Sequence, residues 1–493
     1  MKTAPDYSNP LLLLEALRQL RQEIYEEGQH IFARWNESIQ RRKFTISALN
    51  LAYYLALRKR DLRALQTALT PWGLSSLGRI EGRVMPNLDA VIATLSAVCG
   101  ETAKRPRQSL FARGQRILRR QTNEVFGPPP TNRRVRIMVT MPTEAAEDYD
   151  LIRDLLLCGM DCIRINCAHD TPEAWLAMIT HLRRAETETG RRCKVAMDLG
   201  GPKIRTQNVI APKGMRLHIG DQFRLTRDKP ESVKAYPFQA QCSLPQIFDQ
   251  IKRGAGVWID DGKLGAQVKS LKKDAMVLVV THAGIDGEKL RPDKGINFPD
   301  TDLRLPALTE QDVIDLDFIA QHADIVHYSF VQDAADMRSL QKELAKRMEH
   351  SEKMAIVAKV ETKRAIKHLP EIIVQTGGKQ PLAVMIARGD LAVEIGYQRL
   401  AEMQEQILWL CEAAHVPVIW ATQVLENLVK KGRPSRAEMT DAAMSERSEC
   451  VMLNKGPYIR EAVTALDDVL RRMEAHQSKK TARLRALKSW GES

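Results

Sequence analysis

Lys359-Val360-Glu361 and Ala387-Arg388-Gly389-Asp390 each follow a short apolar run, Met354–Ala358 and Leu382–Ile386. A buried strand that stops on a lysine or an acid carries that group to the mouth of a barrel, where chemistry is concentrated. Glu361 and Asp390, from neighbouring strand ends, can converge on one cation. Two carboxylates with open positions suit Mg²⁺ or Mn²⁺, which complete their shell with water and phosphate oxygens. Taken alone, the two acids could equally cap the helices that follow. Lys359 tips the balance, because it lies two residues before Glu361 and faces the same way. An ammonium beside a divalent ion suits a phosphoryl group in transfer. Arg164-Ile165-Asn166 closes another run with alternate residues on one face, and the fork of Arg164 matches phosphate, its other reading being a rim salt bridge. Thr422, after Val416–Trp420, brings a hydroxyl to the same rim or simply caps a helix. Gly389-Asp390 opens a helix whose N–H groups could cradle a carboxylate.

Eight apolar runs position these groups: Val135–Thr140, Cys162–Asn166, Lys194–Asp198, Ile325–Ser329, Met354–Val360, Leu382–Ala387, Val416–Ala421 and Cys450–Asn454. Helical stretches alternate with them, which predicts a closed (β/α)8 barrel of the TIM type. The rhythm breaks after the third run, where Gly, Asp and Lys mix with short alternating stretches such as Val257–Ile259. An all-β lid inserted at the barrel mouth is expected there. Residues 1–131 read as a helical domain, with apolar spacing over Leu11–Trp35, Ser47–Leu69 and Leu88–Val98. The three prolines of Gly127-Pro128-Pro129-Pro130 close it. The expected division is 1–131 helical, 132–206 barrel, 207–298 lid, 299–477 barrel again, and 478–493 a basic tail.

At 493 residues the chain is long enough for several cores. No apolar run approaches the length of a membrane span, and the first residues lack the pattern of a signal peptide. Eight scattered cysteines complete no zinc pattern and predict free thiols in a reducing cytoplasm. The net charge of +13 raises nucleic acid as a partner, but the cations are spread along the sequence and aromatics are 5%, so none is expected.

From Arg134 to Ala475 the motifs resemble the pyruvate kinase family. They are Ile163-Arg164-Ile165-Asn166 with His169, Asp198 through Thr206, Asp260-Asp261-Gly262, Lys294-Gly295-Ile296-Asn297, Ala358-Lys359-Val360-Glu361, Ala387-Arg388-Gly389-Asp390, Ala421-Thr422-Gln423 and Arg433-Pro434-Ser435-Arg436. The resemblance implies phosphoryl transfer from phosphoenolpyruvate to ADP, giving pyruvate and ATP. Glu361 and Asp390 would then hold the metal, and Lys359 and Arg164 would neutralise the phosphoryl group. Gly389, Asp390 and Thr422 would bind the substrate carboxylate, with Thr422 near the carbon that is protonated. His169, Arg205, Lys294 and Pro142 would lie on the nucleotide side, and Asp261 would reach the site from the lid. It also implies a homo-oligomer, since Arg433–Glu438 resembles a segment near the family's barrel–barrel contact; a dimer would satisfy it.

The departures point one way. The family's Asn-Phe-Ser-His is Asn166-Cys167-Ala168-His169 here, and its Asp-Thr-Lys-Gly-Pro-Glu is Asp198-Leu199-Gly200-Gly201-Pro202-Lys203. The serine and threonine that help ligate potassium are gone, and Lys203 replaces the glutamate. Lys203 is therefore expected to fill the monovalent-cation region beside Asn166 and Asp198, making K⁺ dispensable. The eighth strand ends Leu453-Asn454-Lys455-Gly456 instead of a Ser-Gly-Glu-Thr-like run, and no counterpart of the family's C-terminal allosteric domain is expected. The altered eighth-strand end and the N-terminal helical region leave a second reading open: a pyruvate-kinase-like ligand sensor that uses its helical domain for a partner.

Overall fold

The computed structural model describes Tyr7, residues 9–479 and the backbone of 481–482. The expected basic tail, 478–493, lies almost wholly outside the described residues. Eight parallel strands close a barrel: β1 (Arg136–Thr140), β2 (Cys162–Asn166), β3 (Lys194–Asp198), β4 (Ile325–Tyr328), β5 (Ala355–Val360), β6 (Leu382–Ala387), β7 (Val418–Ala421) and β8 (Cys450–Leu453). Each pairs with its neighbour in the chain, and β8 returns to β1. The strands read as near-continuous apolar runs because they are covered on both faces, by helices outside and by packed side chains within. The fold is the expected α/β barrel.

Between β3 and the helix Glu310–His322 the chain builds a seven-stranded sheet running from Thr206 to Asn297. This sheet has its own apolar core, including Phe223, Leu225, Val257 and Leu278. A separate core explains how an insertion can project from the barrel mouth without disturbing the barrel's packing.

From Pro10 to Phe126 the chain is built of helices and their connections. Pro10–Asn36 starts at Asn9, whose side chain accepts the Leu11 N–H at 2.8 Å, and buries Leu13, Leu17, Leu20, Ile24 and Ile31 along one stripe. The long helix expected over Ser47–Leu69 is two helices, Thr45–Arg58 and Arg63–Leu69. The polar Lys59-Arg60-Asp61 interrupts the apolar stripe there. Asp61 also takes the Arg63 N–H at 3.1 Å, the local competition that ends helices at such residues.

This domain is docked on the barrel rather than tethered to it. Phe44 fits against Gly377, where an added Cβ would come within 2.6 Å of the ring. Arg41 donates to the carbonyls of Gly377 and Gln380 (3.2 and 2.6 Å), and Asn50 donates to those of Glu81 and Ala413 (2.7 and 2.8 Å). His415, before β7, lies 3.0 Å from both the Gly82 carbonyl and Ser47 Oγ. A carbonyl only accepts, so Nε2 carries the proton and Nδ1 accepts from Ser47. At the end of Arg113–Phe126, Val125 and Phe126 join the barrel's inner cluster beside Cys162, Ile325, Ala355 and Cys450. Those four residues begin their strands, so the helix plugs the floor, opposite the mouth.

Candidate active site

Asp198, the last residue of β3, is 1% exposed and organises the mouth. Arg164, two residues from the end of the β2 run, donates Nε to Asp198 Oδ2 at 2.9 Å, adds a second contact through Nη2, and ties Nη1 to Thr140 Oγ1 at 2.9 Å. Lys359 reaches the same carboxylate from β5, with Nζ 3.2 Å from Oδ1. The ammonium also donates to Ser329 Oγ at 2.7 Å and lies 3.2 Å from Glu361 Oε1. Burial alone would raise the Asp198 carboxyl; Arg164 and Lys359 outweigh it and hold the group well below the usual carboxylate range. Burial likewise pulls Lys359 down, but Asp198 and then Glu361 outweigh that and keep its pKa above the ordinary value. Lys359 is therefore charged, and the shared carboxylate fixes both side chains.

Glu361 is 3% exposed, and its second oxygen accepts the Phe330 N–H at 2.6 Å. Burial pushes its carboxyl up against the pull of Lys359, and the charge of Asp390 pushes it further. Two acids facing one space in this way are the donor set a divalent cation would satisfy. No cluster of three or more His, Cys, Asp or Glu exists among the described residues, so such an ion would need substrate or water oxygens.

Asp390 itself is held by Lys203, whose Nζ lies 3.0 Å from each carboxylate oxygen. That differs from the expectation that Lys203 sits beside Asn166 and Asp198. Lys203 leaves β3 five residues after Asp198, beyond the left-handed turn at Gly201 (φ 66°). A Cβ on Gly201 would come 2.9 Å from that of Ser329, so only glycine lets the chain turn away there. Asn166 instead turns back on its own loop and accepts the Ala168 N–H at 3.3 Å.

Thr422 follows β7 with φ 64°, a left-handed conformation rare for a β-branched residue, and Gln423 (56°) and Leu425 (49°) share it. Its hydroxyl accepts the Gly389 N–H at 2.9 Å. Arg388 holds the turn from β6 by donating to the carbonyls of Ala421 (2.8 Å) and Thr422 (2.6 Å). That guanidinium is gripped in turn by both oxygens of Asp441 and lies 4.8 Å over the Trp420 ring. Backbone strain of this kind persists where surrounding contacts over-determine it, typically at working sites.

A model of the pyruvate kinase barrel domain matches residues 132–463, well over half the chain. The chain belongs to the pyruvate kinase family. Relatives include a pyruvate kinase of Hypocrea jecorina, 31% identical over 69% of this chain and 63% of that protein. Pyruvate kinase PKLR of Rattus norvegicus is 30% identical over 71% and 62%, and a pyruvate kinase of Geobacillus stearothermophilus 30% identical over 69% and 57%. The chain thus spans less than two-thirds of the length of each of these three relatives.

The residues that the family assigns to the nucleotide lie further out. His169 is exposed at the rim, where partial desolvation, then Lys455 and Arg205, lower the pKa of its imidazole. Arg205 donates to the Asp293 carbonyl at 3.2 Å, and Lys294 pairs with Asp260 at 3.2 Å on the lid side. Pro142 precedes the short helix after β1. Asp261 shares a small cavity with Gly389, Ala392 and Gln423, which brings the lid onto the start of the helix after β6. Sequence reading missed Ser329, although it follows β4 at the same level as Asp198 and Lys359 on their strands. It also missed the Arg388–Asp441 clamp, which depends on a partner 53 residues away.

Proposed function

We propose that the protein transfers a phosphoryl group from phosphoenolpyruvate to ADP, giving pyruvate and ATP, with Mg²⁺ or Mn²⁺ held by Glu361 and Asp390. The observation that carries this reading is the buried chain Arg164–Asp198–Lys359–Glu361, with Asp390 on the adjoining strand end. Because Asp198 fixes both cations beforehand, little reorganisation remains for the transfer itself. As the P–O bond to the enol oxygen breaks, its electron pair stays on that oxygen and an ADP phosphate oxygen takes the phosphoryl group. Lys359 and Arg164 balance the charge spread over the phosphoryl oxygens. The Gly389 and Asp390 amides and the Thr422 hydroxyl hold the substrate carboxylate, with Thr422 beside the carbon that takes the proton. When bound, the metal supplies Lewis-acid polarisation of substrate oxygens.

Potassium is not required in this reading. Lys203 carries the extra positive charge at the mouth, on Asp390 rather than on Asp198. A cytoplasmic setting accords with eight cysteines that are all free thiols. This reading takes the protein to work as a homo-oligomer, with a dimer as the simplest form.

The test is a coupled assay of the purified protein with phosphoenolpyruvate, ADP and Mg²⁺. Turnover is expected, and Lys359→Met should abolish it while the circular dichroism spectrum is retained. Thermal stabilisation by phosphoenolpyruvate without any turnover would replace this reading with that of a ligand sensor.

A further inference from the structure

The helix Arg113–Phe126 has two unlike faces. Ile117, Leu118, Val125 and Phe126 are buried against the barrel floor and the helical domain. Arg113, Arg116, Arg119 and Arg120 are all exposed. The irregular segment leading into the helix adds exposed Lys104, Arg105 and Arg107. No acidic residue occurs between Glu101 and Glu124. Among the described residues, neutral oxygens are the only hydrogen-bond partners of these cations: Arg105 reaches Thr94 Oγ1 at 3.3 Å and Arg116 the Ser109 carbonyl at 3.2 Å. Cations spread along the sequence are thus gathered in space.

A solvated helical face usually interleaves its cations with acids. This protein does so elsewhere, as with Lys430–Glu426 and Arg347–Glu343 at i,i+4. The floor-side face lacks that balance: its one acid, Glu124 at i+4 from Arg120, is already taken by Arg41 (2.7 Å) and Lys43 (2.5 Å). It also lacks apolar content, since no large exposed hydrophobic side chain lies between residues 99 and 126. A protein interface or a membrane-inserting helix would need one. The helix's apolar stripe is already spent on the barrel. What remains is a line of guanidiniums, and arginine's fork matches phosphate oxygens.

We propose that this face binds the phosphodiester backbone of nucleic acid, without sequence preference. Recognition is by charge alone, because no exposed aromatic side chain lies between residues 99 and 126 on which bases could stack. The face lies at the floor, opposite Lys359 and Thr422, so a bound strand leaves the mouth open.

Fluorescence anisotropy of a labelled twenty-nucleotide oligothymidylate, titrated with the full chain at 50–200 mM salt, tests this. Four arginine–phosphate contacts predict a slope of about −3 in log affinity against log salt, an affinity loss of about 50-fold across that range. Changing Arg113, Arg116, Arg119 and Arg120 together to Gln should weaken binding at 50 mM salt by at least about 10-fold and flatten the slope. Helix content and catalytic turnover should not move. Three results would overturn the proposal: no binding at 50 mM salt, unchanged binding by the quadruple variant, or binding to phosphatidylserine vesicles but not to the oligonucleotide.

Discussion

The two ends of the barrel handle positive charge in opposite ways. At the mouth, Arg164, Lys359 and Lys203 are each set against a carboxylate, with side chains from 11 to 25% exposed. At the floor, the guanidiniums of Arg113–Arg120 stand in solvent with no carboxylate partner among the described residues, the one nearby acid, Glu124, being held by Arg41 and Lys43. Pairing in a low-dielectric site fixes position and keeps the charge from leaving. Exposure without a partner leaves the charge free to meet one. The same residue types therefore serve pre-organisation at one end and capture at the other, and burial decides which.

The largest effect should come from breaking the mouth's network at its centre. Lys359→Met removes the cation shared by Asp198 and Glu361 and should lower kcat by at least about 10³-fold, the scale of losing a principal transition-state charge. The Michaelis constant for phosphoenolpyruvate should change much less, because Arg164 and the Gly389 cradle remain. A loss confined to that constant would mean that Lys359 binds substrate and does not act on the transfer.

Between the two ends, the helical domain docks partly through a buried neutral imidazole, and His415 makes that contact measurable. Burial lowers its pKa to about 4. The unfolded imidazole titrates near 6.5, so between those values the unfolded chain binds a proton that the folded chain refuses. Stability contributed by neutral His415 is thus complete above pH 6.5 and is lost as pH falls towards 4. The loss should approach about 3 kcal/mol, since each tenfold difference in proton affinity between the two states is worth about 1.36 kcal/mol. Urea midpoints at pH 7.0 and 4.5 should differ accordingly, and His415→Gln should flatten the difference. An unchanged pH dependence in that variant would place the acid sensitivity elsewhere.

The strained turn tests how far positioning alone matters. Arg388→Lys keeps a charge but cannot span the Ala421 and Thr422 carbonyls while held by Asp441. Released from that clamp, Thr422 should drift from its left-handed conformation and misplace the hydroxyl at Gly389. A decline in kcat/KM of roughly 10- to 100-fold is expected, the scale set by small displacements of catalytic groups. Asp441→Asn should follow it in weaker form. Full activity in both would show that the turn holds itself.

The barrel was legible because strands buried on both faces leave unbroken apolar runs, and each run ended on the group that mattered. Arg164, Asp198, Lys359 and Glu361 needed only register and alternation to be placed together. What sequence spacing could not show were partners brought in by tertiary folding. Lys203 meets Asp390 across 187 residues, and Arg388 meets Asp441 across 53. Neither pairing leaves a local pattern. The break at Lys59–Leu62 was hidden for another reason: leucines on both sides keep helical spacing through it, while Asp61 stops the backbone. The floor's charge was obscured by averaging, since a net +13 reads as dispersed until one face is seen with its single acid already paired elsewhere.

The smallest expected effect is none at all, and it concerns the one cation the mouth should not need. Asp198 already faces Arg164, Lys359 and Ser329, so its charge is balanced by the protein. Ala168 offers no side-chain oxygen, and the Leu199 carbonyl is taken by Ser329 Oγ at 2.7 Å. A potassium ion entering there would have to displace bonds that are made and buried, while Lys203 holds its positive charge at Asp390. Replacing KCl with tetramethylammonium chloride at constant ionic strength should therefore leave turnover within about twofold, the span of ordinary ionic-strength effects on exposed charges. A collapse of rate, restored by K⁺, would mean that the pairing at Asp390 opens during the reaction and that Asp198 is less satisfied than its neighbours suggest.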